Sequence, residues 1–242
     1  MLINSVLAFT RELLPVFILI AIVLQLPLNK PWRLLLQSTA LGAIATLCFT
    51  PLLGNITQWF DGNGLELLFM LLQLFTLGAL VLALYRRRLG FLVTLAISAQ
   101  VSLAGINLLL FVLTVSSADQ ASDAIWLGAL LGLGIGSSIC VLLYQVLFEL
   151  RRFSSAVIVL MLALTGARQT SEIIALLAQT DWLTLGQKLW DSSVFLHEQT
   201  EIGVFFHALF GYEATPDAFQ LAGWLITLTF MLGIGSWRRA KQ

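Results

Sequence analysis

The chain is poor in charge, in cysteine and in histidine, and each shortage closes off a class of protein. Only 11% of its 242 residues are Asp, Glu, Lys or Arg, against 59% hydrophobic, and the mean hydropathy is +0.93. A soluble domain of this length needs a polar surface that such a composition does not supply, so the chain reads as an all-α, polytopic membrane protein whose first partner is the lipid bilayer. Its 13 basic and 13 acidic residues cancel, and no nucleic-acid partner is expected. Cys48 and Cys140 both lie in apolar segments, where a thiol is a small hydrophobe; neither a disulfide framework nor a CxxC metal site is read. His197 and His207 are the only histidines and both fall outside the predicted spans. Paired intramembrane haem ligands are therefore missing, which argues against a membrane oxidoreductase. No enzymatic activity and no permanently bound cofactor are expected. The N-terminus has no basic region and no small-residue cleavage site, so the first segment is expected to stay in the membrane.

What is present is a series of apolar runs near the roughly 20 residues that cross a bilayer. They predict seven helices, at about 5–26, 34–53, 65–85, 89–115, 126–148, 154–178 and 219–237, forming one integral membrane domain over 1–242. The connections alternate in sign. Lys30 and Arg33, Arg86 to Arg88, Arg151 and Arg152, then Arg238, Arg239 and Lys241 occupy every second connection and the C-terminal tail, ten of the thirteen basic residues. The positive-inside rule puts them in the cytoplasm, with the N-terminus outside. Acidic residues fill the other connections: Asp61 and Glu66, Asp119 and Asp123, then a long one over 179–218 with Asp181, Asp191, Glu198, Glu201, Glu213 and Asp217. Gly128, Gly132 and Gly136 in segment five form a small-residue face for close helix packing. Segments one and four enter from opposite sides, as members of an inverted three-helix repeat would.

Four charges lie inside predicted spans: Arg11 and Glu12 in segment one, Arg168 and Glu172 in segment six. A charge at bilayer depth costs roughly 2.5 to 3.5 kcal/mol, so such residues usually face a protein interior or an aqueous path. Arg168 and Glu172, four apart, can pair along one helix face. Glu12 and Glu172 each lie six or seven residues from the outer end of their helices, roughly 10 Å deep at 1.5 Å per residue, and can share one level. Two carboxylates facing a wet cavity are hard ligands for iron or another divalent cation, and arginine holds them charged when no cation is there. Two structural ion pairs explain the same residues. In segment four, Gln100 and Asn107 are seven apart and share a face, able to offer amide oxygens to a permeant species or to bridge helices. Pro15 removes a backbone donor and frees a carbonyl at Arg11, so a broken or kinked helix is expected to expose backbone oxygen there.

The last connection carries a second candidate site. His197 and Glu201 stand at i and i+4, a spacing at which one helix can grip a metal, with Glu198 beside them and His207 ten residues beyond His197. A short amphipathic helix on the outer surface, burying Val204, Phe205, Phe206, Leu209 and Phe210, explains the stretch without a metal.

Several of these features resemble the high-affinity iron permease family, which includes the oxidase-linked fungal permeases and the bacterial ferrous iron permease. The resemblance rests on the L-G-A-L-L-G-L run from Leu127 to Leu133, Asp191-x-Ser193-x-x-Leu196, Gly203, Phe210-Gly211-Tyr212, Pro216 and Trp224. In that family the first and fourth spans each carry R-E-x-x-E, whose glutamates handle iron. Here segment one keeps Arg11 and Glu12, but Pro15 stands in place of the second glutamate, and segment four keeps no acidic residue around Gln100 to Ala104. The resemblance implies an inner-membrane, multi-pass permease importing iron or a related divalent cation, and an extracytoplasmic iron-binding or redox partner. His197, Glu198, Glu201 and His207 would then receive the ion, and an oligomer stays open. The alternative is a homologue without transport that serves as a membrane docking or regulatory subunit.

Overall fold

A computed structural model describes all residues except 1, 29, 86–88, 116–120, 155, 185 and 241–242, and gives only the backbone at 89, 121–122 and 238–240. Arg86, Arg87, Arg88, Asp119 and Lys241 thus lie outside the described residues. Those residues form helices α1 (Leu2–Val23), α2 (Pro31–Phe49), a short α3 (Leu53–Ile56), α4 (Gly64–Tyr85), α5 (Leu89–Val115), α6 (Ala121–Phe153), α7 (Ala156–Gln179), α8 (Glu201–Phe210) and α9 (Ala218–Ala240). They contain no β-strand, only an isolated bridge between Lys188 and Asp217. The seven long helices are each apolar and long enough to cross a membrane, as expected for a multi-pass membrane protein.

Local chemistry sets the ends. Pro31 opens α2 at a position where its missing N–H costs nothing. At 33 residues α6 runs well past its apolar stretch, because Asp123 in its first turn and Arg151 and Arg152 in its last turn suit the helix dipole. Through Pro15, α1 continues as one helix. The helix is not broken there: the flanking residues Leu14 and Val16 are buried, and Pro15 still offers no N–H to the Arg11 carbonyl.

Close contacts give the helix directions. A Cβ at Gly128 would fall 2.4 Å from the Ser5 Cβ, and one at Gly132 2.6 Å from the Phe9 Cβ. The numbers rise together, so α1 and α6 run parallel, and the small-residue face does the packing expected of it. In the same way Gly42 meets Val101 and Gly105 meets Thr46, so α2 and α5 are parallel. By contrast, Ile174 meets Gly223 and Val159 meets Gly235, which makes α7 and α9 antiparallel. One end of the bundle thus gathers the acidic connections and α8, and the other gathers the basic ones.

The interior is built from α1, α4, α5 and α7, with Ala208 and Leu209 of α8 and Met231 of α9 packed onto it. Leu36 (68% exposed), Leu47 (69%), Leu130 (69%) and Ile226 (68%) cover the outside of α2, α6 and α9. That much apolar surface suits lipid and not water. Exposed Trp59, Trp126 and Trp182 at the acidic end and Trp32, Tyr85 and Trp237 at the basic end mark two aromatic levels, as at bilayer interfaces. The short helix in the last connection forms, but its buried side rests on α1 and α7 within the bundle.

Candidate functional site

Between α1, α4, α5 and α7, towards the acidic end, lies a cavity of about 260 Å³. Arg11, Glu12 and Pro15 line it from α1, Gln73 from α4, Gln100 and Asn107 from α5, and Arg168 and Glu172 from α7; His207 of α8 and Glu213 close it. All six residues expected along a path are therefore brought together, and the two carboxylates share one cavity. A wider cavity of about 610 Å³ adjoins it, sharing Arg11, Glu12, Asn107 and His207 and adding Glu198.

The carboxylates are held differently. Glu12 Oε2 accepts a hydrogen bond from Asn107 Nδ2 at 2.8 Å, and it makes no ion pair among the described residues. Glu172 Oε2 accepts from Gln73 Nε2 at 2.8 Å. Its Oε1 pairs with the Arg168 guanidinium and lies 3.7 Å from His207 Nε2. Arg168 is only 2% exposed, and its Nε has no hydrogen-bond partner. On the inner side of the cavity Gln169 Nε2 donates to Gln100 Oε1 at 2.7 Å, so the Gln100 amide bridges helices.

His207 is the most informative ligand type. Its Nδ1 lies 2.9 Å from the Tyr212 carbonyl oxygen, which can only accept, so Nδ1 carries the proton. Its Nε2 faces the Glu172 carboxylate across 3.7 Å, and one ring nitrogen oriented by a hydrogen bond through the other is the arrangement that metal-ligating histidines use. Carboxylate oxygens, amide oxygens and one imidazole nitrogen around a cavity are donors that a divalent cation accepts.

The outer metal grip does not assemble as expected. Thr200 caps α8, its hydroxyl accepting from Gly203 N at 3.1 Å. The helix therefore starts at Glu201 and leaves His197 in the preceding turn, so the two are not i and i+4 on one helix. The missing Gly203 side chain makes that turn feasible, because a Cβ there would sit 2.2 Å from the His197 carbonyl oxygen. His197 and Glu201 are exposed, and His197 Nδ1 accepts from Gln199 N at 3.3 Å. Glu198 lines the wider cavity, while one of its oxygens accepts from Ala214 N. Among the described residues no three His, Cys, Asp or Glu side chains converge at metal-binding distance.

Sequence reasoning missed Gln73, Gln169 and Glu213. The two glutamines interrupt apolar runs, a signal that was there to be read. Glu213 reaches the cavity through its connection. Gly211, at φ +72°, lies so close to α7 that a Cβ would meet the Arg168 Cα at 3.0 Å. Tyr212 OH donates to the Leu196 carbonyl at 3.0 Å, and Trp224 Nε1 donates to the Phe210 carbonyl at 2.8 Å. Burial pushes the Glu213 carboxyl up to about 7; a hydrogen bond from Ser171 opposes this, and negative Glu198, Glu172 and Asp217 add to it. Hydrogen bonds from the hydroxyl and amide of Ser193 hold the exposed Asp191 carboxyl below its ordinary value.

Comparison with known protein families, with curated proteins and with solved structures found no match to this chain.

Proposed function

We propose that this protein is an inner-membrane permease of the iron permease type, with its acidic end outward, importing iron or a related divalent cation. One observation carries the reading: Glu12 stands beside two adjoining cavities at membrane depth with only a neutral amide on its carboxylate. Arg11 lines both cavities beside Glu12 without pairing directly to it, and a carboxylate left out of a direct ion pair at that depth is costly unless water or a mobile cation meets it. His207 and Glu198 stand on the outer approach, and Glu172 with Gln73 and Gln100 lies beyond.

An inverted repeat fits the packing. Mapping α1, α2 and α4 onto α5, α6 and α7 exchanges the parallel pair α1 and α6 with the parallel pair α5 and α2. Such repeats move against one another in alternating access. An extracytoplasmic iron-binding or redox partner would deliver the ion at the acidic end. The second reading, a docking or regulatory subunit, is favoured by the Arg168 and Glu172 pair, in which a guanidinium already serves as the cation.

Uptake of radioactive iron into proteoliposomes separates the two. Wild type is expected to accumulate iron and Glu12→Gln to lose at least about tenfold of the rate, the loss of one charge-assisted contact. Uptake indifferent to Glu12, or none in wild type, leaves the docking subunit.

A further inference from the structure

A third cavity at the acidic end, about 430 Å³, lies between α7, α8, α9 and the last connection. We infer that this cavity binds a small organic ammonium ion, with its apolar body against Trp190, Phe206, Phe210, Tyr212 and Trp224 and its charge on Glu213. The inference goes beyond metal transport and does not rest on it.

The volume falls in the roughly 300 to 1,000 Å³ range of small-ligand sites, and the walls define the ligand. Aromatic rings with one carboxylate select an ammonium ion, which gains from both ring faces and negative charge. A divalent metal needs several hard oxygens, which aromatic walls lack. A neutral or anionic ligand would leave the carboxylate uncompensated. Glu213 is available for this role: Oε1 accepts from Ser171 at 3.1 Å and Gln220 at 3.4 Å, and no basic side chain pairs with it among the described residues. Burial raises the carboxyl to about 7, and the nearby carboxylates of Glu198, Glu172 and Asp217 add to that rise and deepen the negative potential. An arriving ammonium supplies the missing charge. The rings are set in advance: Phe206 and Phe210 stack with centroids 5.7 Å apart, and Tyr212 and Trp224 are tied to backbone carbonyls. A pre-organised site loses little freedom on binding.

The test uses the full chain in nanodiscs of phosphatidylglycerol, whose head group carries no ammonium, with benzyltrimethylammonium as probe and calorimetry as readout. Saturable binding is expected, weakened at least about tenfold by Glu213→Gln. Trp190→Ala, at a half-exposed position that tolerates truncation, is expected to weaken it as well, and both variants are compared at matched thermal unfolding. Benzyl alcohol, the neutral analogue, is expected not to compete. The inference is overturned if no saturable binding appears, if benzyl alcohol competes, or if the affinity survives Glu213→Gln. It is also overturned if phosphatidylethanolamine nanodiscs abolish probe binding, since the occupant is then a lipid head group.

Discussion

Glu12 and Glu172 line one cavity from two helices, yet one is held by an amide and the other by a buried guanidinium. The same side chain on one cavity wall is thus held in two different ways. Glu172 belongs to a closed unit with Arg168 and Gln73 that fixes α7 against α4. Glu12 makes no direct ion pair among the described residues; Asn107 holds its carboxylate and Arg11 stands beside it on the cavity wall. On the permease reading, Glu12 is the working carboxylate and Glu172 the scaffold that shapes its surroundings.

The largest effect comes from breaking the scaffold. Arg168→Met leaves Glu172 in the cavity without its cation, and removing one partner of a buried pair costs about 3 to 5 kcal/mol. Thermal unfolding in detergent should show a loss of that order, with much of it recovered in the Arg168→Met, Glu172→Leu double variant. Equal stability of single variant and wild type would mean that the pair holds nothing together. Glu12→Gln sharpens the contrast from the other side. Glutamine keeps an oxygen for Asn107, so unfolding should move by less than about 1 kcal/mol while uptake falls.

A third carboxylate sharpens the contrast through pH. Glu213 moves from 4.5 to about 7 on folding, chiefly through burial. Between those values the folded chain holds more protons than the unfolded one, so stability declines as pH rises through that window. The groups around it are Arg168 and Glu172 on α7, His207 on α8, Glu198 in the connection and Asp217 before α9, with Arg11 and Glu12 across the cavity. Glu213→Gln is expected to flatten the decline in an unfolding titration. An unchanged slope would assign the effect to one of those neighbours.

Most of the fold was legible because bilayer thickness and charge placement act on the chain one segment at a time. Segment four was predicted at 89–115 and forms there, and counting along two helices put Glu12 and Glu172 at one level, where they do line one cavity. What depends on caps and turns was not legible. Thr200 stops α8 short of His197, and Glu213 owes its place to a glycine turn over Arg168, neither of which leaves a periodic trace. Pro15 does not break α1, because a rule about isolated helices ignores the packing on both sides of it.

The Gly211 turn has a wider consequence. Because its backbone lies directly on Arg168, and Trp224 pins the end of α8, the roof of the bundle is clamped along its α7 and α9 edge. On the permease reading, a hydrated ion then enters by the opposite jamb, where α8 leans on α1 beside Asn4, Ala8 and Phe111 and the wider cavity reaches Glu12.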